Sequence, residues 1–291
     1  MEACFQSAYE SYRDLIGYQA GPLSRRRGPG RPAKIQKIVV AGDFHCPFQS
    51  KAAVAQLVKE EASDTDLLIL NGDIVTWWSA SHWPKRRRVT NIQTEMAEAQ
   101  ATLCYLSRHF KQIRVLGGNH DARPKRLMAE QLPLEMIEYL DLVAPAAMDP
   151  LQFLIHGLDN VELVKAPVSD GAKFDFLYQV GDAVCTHAET YSKIPLKAAG
   201  NVSHWLKSFA EPKGLVHDVR VVIQAHTHQG GSVMGDFGCL LIEGGCLCED
   251  EEYIGGARIQ SPRPWALGWT VLYQQQGRTD QRISRFKPLA A

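Results

Sequence analysis

Five apolar, largely β-branched or leucine-rich runs in this chain each end directly in an aspartate, asparagine or histidine motif. KIVVAG runs into Asp43-Phe44-His45, LLILNG into Asp73, and IRVLGG into Asn119-His120-Asp121, while AVCT precedes His187 and VVIQA precedes His226-Thr227-His228. Short runs of this kind read as buried strands. In open α/β sheets, ligands gather outside the carboxyl ends of the strands, so polar tips on successive strands are expected to converge on one place. One tip is weak evidence, and its aspartate or histidine is most simply a turn or core residue. Five in a row constrain the fold to one that brings these strand ends together.

The rest of the chain agrees with an α/β body. KAAVAQLVKEEA reads as a helix, and Ile92, Met96, Ala99, Leu103, Leu106 and Phe110 follow helical spacing with one apolar stripe. Strands alternating with helices imply βαβ crossovers and a parallel sheet. Past about residue 150, FDFLYQV, DAVCTH, VRVVIQA, SVMGDFGCLLIEGG and GWTVLYQQQG are strands with mostly short connections, so a second sheet with antiparallel pairs is expected. Residues 1–35 differ: Phe5, Ala8, Tyr9, Tyr12, Leu15 and Ile16 predict a short amphipathic helix, and GPLSRRRGPGRPAK predicts an arm or linker. The body is expected over residues 36–291.

Composition narrows the class. At 291 residues the chain can bury a core without covalent staples, and its net charge of zero favours neither nucleic acid nor membrane by itself. Its seven cysteines are odd in number and lack CxxC spacing, which predicts reduced thiols and a cytoplasmic location. Cys246-Leu247-Cys248 suggests a soft-metal site, but two thiols alone do not fill a tetrahedral shell. No apolar stretch reaches the ~20 residues of a membrane span, and the first residues lack the pattern of a secretion signal.

The motifs carry the chemistry of a phosphate ester's hydrolysis, which is slow because the anionic ester repels hydroxide. Two neighbouring cations answer both needs, activating a water and neutralising the phosphoryl oxygens. Asp43 and His45, at i and i+2, would point the same way if that tip stays extended. Asp73 is the candidate bridging carboxylate. Asn119 offers a neutral carbonyl oxygen after a double glycine that permits a tight backbone. His120 is then available as an acid or electrostatic stabiliser toward the leaving group or a phosphate oxygen. Asp121 is expected to orient His120 or to cap the helix near Pro124, roles that are compatible. His226 and His228 repeat the i, i+2 spacing. The histidines at 82, 109, 156, 204 and 217 lack this setting.

In their order from Asp43 to His228, these segments resemble the signature of the calcineurin-like metallophosphoesterase superfamily: D-x-H, G-D, G-N-H-D, a later histidine, and an H-x-H pair. The resemblance implies a four-layer α-β-β-α sandwich of two mixed β-sheets. It also implies that Asp43, His45 and His228 hold one divalent metal, that Asp73 bridges, and that Asn119, His187 and His226 complete a second. His120 matches the catalytic histidine, and a water between the ions is the implied nucleophile. Manganese is the implied metal, with iron or zinc also suited to mixed oxygen and nitrogen donors. Two positions depart from the pattern: Ala225 and Ala188 stand where relatives carry glycine, and a Cβ there narrows the backbone options. The stretches GGCLCEDEEYIGG and WALGWTVLY also resemble phage-type and prophage-type members of unknown substrate.

Substrate expectations come from charge and aromatic content. Arg25, Arg26, Arg27 and Arg31 lie in a Gly/Pro/Arg arm similar to an AT-hook, a minor-groove element, although Pro29 interrupts the usual core; a solvated linker is the competing reading. Lys85, Arg86, Arg87 and Arg88 form a second cluster, in a loop that also carries Trp77, Trp78, His82 and Trp83. Trp78, His82, Arg86 and Arg87 are candidate substrate contacts, by stacking and by phosphate pairing. Packing of the loop against the body is the alternative for the tryptophans. The leading expectation is a phosphodiesterase or nuclease on DNA, RNA or nucleotides, with duplex DNA a partner of the arm and no membrane partner. A phosphomonoesterase is the alternative, and a non-catalytic DNA-binding accessory protein the third.

Overall fold

The computed structural model describes residues 34–81, 90–143, 149–164, 176–249 and 265–289. In chain order the elements are β1 (Gln36–Ala41), α1 (Lys51–Glu61), β2 (Leu67–Asn71), α2 (Ile92–His109), β3 (Ile113–Leu116), α3 (Arg123–Gln131), α4 (Leu134–Val143), α5 (Pro150–Ile155) and β4 (Val161–Leu163). There follow β5 (Leu177–Val180), β6 (Ala183–Thr186), α6 (Lys197–Trp205), β7 (Val221–Gln224), β8 (Gly230–Met234), β9 (Leu240–Gly244), β10 (Gly268–Gln275), β11 (Arg278–Thr279) and β12 (Arg285–Pro288). The N-terminal helix and arginine arm expected from the sequence lie outside the described residues. No described helix is long and apolar enough to cross a membrane.

Two mixed sheets form the centre. The first runs β11-β10-β1-β2-β3-β4 with β12 beside β10, and the second runs β5-β6-β7-β9-β8. Strands β1, β2, β3 and β4 are parallel, as are β6, β7 and β9. The antiparallel pairs expected in the second sheet are its outer ones, β5–β6 and β8–β9. The run GWTVLYQQQG sits elsewhere than expected: as β10 it lies antiparallel to β1 in the first sheet. Both faces of β10 are buried, so its alternation carried no sign of which sheet it joins.

The period of two along each strand divides the apolar side chains among three cores. Ile38, Val40, Leu67 and Ile69 of the first sheet meet Ala183, Cys185, Val221, Ile223, Leu240 and Ile242 of the second, between the sheets. Val39, Leu68, Leu70 and Val115 face the other way, against Val54 and Leu57 of α1, Leu103 and Leu106 of α2 and Leu151 of α5. Val184, Val222 and Leu241 pack on Ala199 and Val202 of α6. The result is four layers, helix–sheet–sheet–helix. Full burial of each such aliphatic side chain is worth about 1.5–3 kcal/mol, so the order of layers follows from where apolar residues fall.

Helix starts are set locally. Asn91 caps α2 by accepting the Thr94 N–H at 3.0 Å, and Ser50 caps α1 through the Ala53 N–H at 3.4 Å.

Candidate metal centre

Because β1, β2 and β3 are parallel to one another, as are β6 and β7, their carboxyl ends share one edge of each sheet. The two edges face each other, and all seven candidate ligands meet there. Asp43, His45, Asp73, His187 and His228 are buried to 5% exposure or less.

The backbone at these tips is not extended. Asp43, His45, Asp73, His226 and His228 have φ of 52°, 50°, 53°, 72° and 57°, the left-handed region that non-glycine residues seldom occupy. Asp43 and His45 do reach one place, but through two left-handed residues flanking Phe44, and not through a continued strand. Such backbone persists only where its surroundings over-determine it, and it clusters at functional sites. Here His45 N–H donates to the Asp73 carbonyl at 2.9 Å, and Asp43 N–H to the Gly72 carbonyl at 3.0 Å. Two glycines make the room. A Cβ on Gly118 would lie 2.1 Å from Asp73 Oδ1, and one on Gly72 would lie 2.3 Å from His187 Nδ1.

Donor atoms gather in two groups. In the first, His228 Nε2 stands 3.0 Å from His45 Nε2 and 3.2 Å from Asp43 Oδ1, with His45 Nε2 3.6 Å from that oxygen. In the second, His187 Nε2 lies 3.2 Å from Asn119 Oδ1, and that oxygen lies 2.9 Å from His226 Nδ1. Asp73 Oδ2 belongs to both, 3.6 Å from His45 Nε2 and 3.2 Å from His187 Nε2. Cations of this class sit about 2.0–2.2 Å from nitrogen and oxygen donors, so two donors on one ion stand about 3–3.5 Å apart. The spacing fits. So does the fully buried Asp43 Oδ1, which lacks a hydrogen-bond donor and faces three imidazoles.

The electrostatics describe a pocket made for positive charge. Burial opposes ionisation of Asp43, yet His228 and His187 hold its carboxyl well below the usual range. Asp73 is likewise held low against burial, by His187 and His120. Burial pushes His187 down, but Asp73 and Asp43 prevail and lift it to about 10. Burial, with His187 nearby, takes His226 down to about 4. His187 Nδ1 donates to the Asn71 carbonyl at 2.8 Å, which turns Nε2 toward the two carboxylates.

His120 sits on the rim of both groups, its Nε2 3.8 Å from Asp73 Oδ2. Its Nδ1 donates to the Thr76 carbonyl at 3.0 Å, and its backbone N–H donates to Asp73 Oδ1 at 2.8 Å. Burial holds its pKa well below the ordinary value. The expected roles of Asp121 are replaced by another. Its carboxylate accepts the Gly118, Ile74 and Val75 N–H groups at 2.9, 3.2 and 3.0 Å, tying the β2 and β3 tips together. Burial and the neighbouring Asp73 raise its pKa to about 7. Thr76 supplies the orienting contact to His120, while α3 begins after Ala122 without a side-chain cap.

Sequence reasoning passed over Arg123. Its Nη1 donates to the Thr76 carbonyl at 2.8 Å and its Nη2 lies 2.7 Å from His120 Nε2, which puts a guanidinium at the mouth of the site. The signal was its place three residues after His120, at the first turn of α3. Among the tryptophans, Trp77 is buried in the core under α1 and α2, and Trp78 is half-buried with its ring edge-on to Phe48 at 6.3 Å. The other expected contacts, His82, Arg86, Arg87, Arg25, Arg26, Arg27 and Arg31, lie outside the described residues, as does Trp83. Ala188 and Ala225 are buried beside His187 and His226 without displacing either ring from the cluster.

A family model described as calcineurin-like phosphoesterase matches residues 36–230, well over half of the chain. Among solved structures, the chain is similar to a metallophosphoesterase from Sphaerobacter thermophilus at 12% identity and a TM-score of 0.38, over 88% of this chain and 89% of that one. It is similar to Vps29 of Chaetomium thermophilum at 10% identity and a TM-score of 0.40, over 82% of this chain and 85% of that one. A phosphoesterase-like protein of Streptococcus pneumoniae matches at 10% identity and a TM-score of 0.33, over 89% of this chain and all of the other. No curated protein matches the chain.

Proposed function

The chain belongs to the calcineurin-like phosphoesterase family, and from that premise, which makes it a metal-dependent hydrolase of phosphate esters, we propose that it is a two-metal phosphodiesterase of nucleic acid or nucleotides. Asp43, His45 and His228 would hold one cation and Asn119, His187 and His226 the other, with Asp73 shared between the two donor groups. The observation that carries this assignment is Asp73 Oδ2, which lies within 3.6 Å of a donor in each group. Two divalent cations held there supply an activated water and offset charge on the phosphoryl oxygens. Manganese is the proposed metal, in keeping with a donor set of oxygen and imidazole nitrogen.

The chain's own groups do the rest. Asp73 and the Asn71 carbonyl fix the His187 ring, and the Thr76 carbonyl fixes that of His120. With the His120 Nδ1–H given to the Thr76 carbonyl, Nε2 must first take up a proton before it can stabilise charge on the leaving oxygen or return that proton to it. Arg123, pinned to the same carbonyl, keeps a permanent positive charge beside it. The diester preference is supported by the Lys85–Arg88 cluster and by the arm with Arg25, Arg26, Arg27 and Arg31, whose charges suit a polyanion. A cytoplasmic location belongs to the same proposal, supported by seven cysteines in an odd set without CxxC spacing.

The test compares an aryl phosphodiester with an aryl phosphomonoester, then single- and double-stranded DNA, on manganese-reconstituted protein. Diester turnover above monoester turnover is expected. Turnover of the monoester alone defeats the nuclease reading. Duplex binding without hydrolysis of either ester, with manganese, iron and zinc each supplied, points to a DNA-binding accessory protein instead.

A further inference from the structure

We propose that Cys248 is a positioning residue for His228, a thiol that takes the far nitrogen of this imidazole so that the near one is presented to a cation. The proposal rests on the metal-site reading above and extends it to a side chain outside the ligand set. Cys248 Sγ lies 3.8 Å from His228 Nδ1, within reach of a sulfur hydrogen bond. The opposite nitrogen of the same ring, Nε2, faces Asp43 Oδ1 at 3.2 Å and His45 Nε2 at 3.0 Å. With the Nδ1–H donated to sulfur, the Nε2 lone pair points into the site.

The thiol is held in place by backbone. Leu247 N–H donates to the Asp43 carbonyl at 3.2 Å, and the Leu247 carbonyl accepts the Ser50 N–H at 2.8 Å. Cys246 N–H donates to the Ala266 carbonyl at 2.9 Å, and Glu249 N–H to the Phe48 carbonyl at 2.7 Å. The segment 246–249 is thus stitched between the loop that carries Asp43 and His45 and the chain entering β10. Cys246 and Cys248 are 1% and 2% exposed, so water does not compete for the sulfur.

Donor atoms of His45, His228 and Cys248 lie within 4.8 Å of one another, so direct ligation by sulfur is the rival role. Geometry favours positioning, because Sγ sits on the Nδ1 edge of the ring while the cluster with Asp43 forms on the Nε2 edge. Imidazole ligands commonly give their second N–H to a carboxylate. A neutral thiol does this without adding a negative charge to a pocket that already buries Asp43 and Asp73.

Manganese affinity is measured by titration for wild type, Cys248→Ala, Cys248→Ser and Cys246→Ala, with the thermal midpoint of each metal-free protein taken alongside. Loss of a group that orients a ligand costs roughly 10–100-fold in metal affinity, and that loss is expected for Cys248→Ala. Cys248→Ser, which keeps an acceptor, is expected to recover most of it, and Cys246→Ala, which removes a thiol hydrogen-bonded to Cys248 but leaves the contact with His228, to lose less than Cys248→Ala. Cobalt-loaded wild type is expected to show no thiolate-to-metal charge-transfer band. Such a band, lost in Cys248→Ala, makes sulfur a ligand and overturns the positioning role. A folded Cys248→Ala that binds manganese as tightly as wild type overturns the proposal alone. Wild type that takes up no manganese overturns the metal-site reading and this proposal with it.

Discussion

At the scale of single residues, Asp73 and His120 separate metal binding from turnover. Asp73 Oδ2 is shared between the donor groups, whereas His120 touches the cluster only from its rim. Asp73→Asn is therefore expected to lose manganese, read by metal analysis after dialysis. His120→Ala is expected to keep its metal and lose roughly 100-fold or more in kcat, the scale of a lost acid–base group. Full activity in His120→Ala removes it from the mechanism. The pH response has a definite sign. The His187 pKa of about 10 in the metal-free fold exceeds the roughly 6.5 of an unfolded histidine. The stability this contributes is whole below about pH 6.5 and is lost as pH rises through about 10. A cation at Nε2 must displace that proton. Manganese affinity is thus expected to climb with pH up to about 10 with release of a proton, seen by calorimetry in buffers of different ionisation enthalpy. Binding without proton release contradicts the assignment.

At this same scale, ligand types were legible in the sequence and their backbone was not. D-x-H and H-x-H spacing marked the right pairs, but left-handed φ at Asp43, His45, His226 and His228 is a property of the assembled loops. Arg123 and Thr76 were passed over because each acts through a contact between the β2 and β3 tips, and Cys248 was weighed only as half of a thiol pair because its contact with His228 comes from a separate segment.

Among the elements, strands were read well where a buried parallel run ended in a polar tip, as β1, β2, β3, β6 and β7 do. Partners were read less well. The sheet that β10 joins depends on what covers both its faces, and a period of two is silent on that. The far end of the first sheet offers a test of how independent it is from the site. Glu61, at the end of α1, is 1% exposed and accepts Trp269 Nε1–H at 2.9 Å, Lys287 Nζ at 2.5 Å and Lys37 Nζ at 2.6 Å. Breaking a buried ion pair costs about 3–5 kcal/mol. Here Lys37 and Lys287 keep Asp64 and Glu60, so Glu61→Gln is expected to lose about 2–3 kcal/mol in urea unfolding. Manganese affinity is expected to stay as in wild type, since Glu61 lies at the amino end of β1 and Asp43 beyond its carboxyl end.

For the whole molecule, two sheets and their helical layers followed from alternating patterns, while the arm of residues 1–35 is a matter for solution measurement. Its deletion is expected to weaken duplex DNA binding and flatten the salt dependence, while leaving turnover of a small aryl diester unchanged. Equal DNA affinity with and without the arm removes it from substrate recognition.

The inter-sheet core has one more effect. Asp43, His45, Asp73 and Asn119 ride on one sheet, and His187, His226 and His228 on the other, so Ile38, Val40, Ile69, Val221, Ile223 and Ile242 act as a shim that sets the gap across which the two halves of the centre face each other. Trimming a methylene from that shim alters the span between ligands that the trimmed residue never touches. Thinning or thickening this dry wall is then a way to retune reactivity from a distance, by the bore of the molecule and not by its mouth.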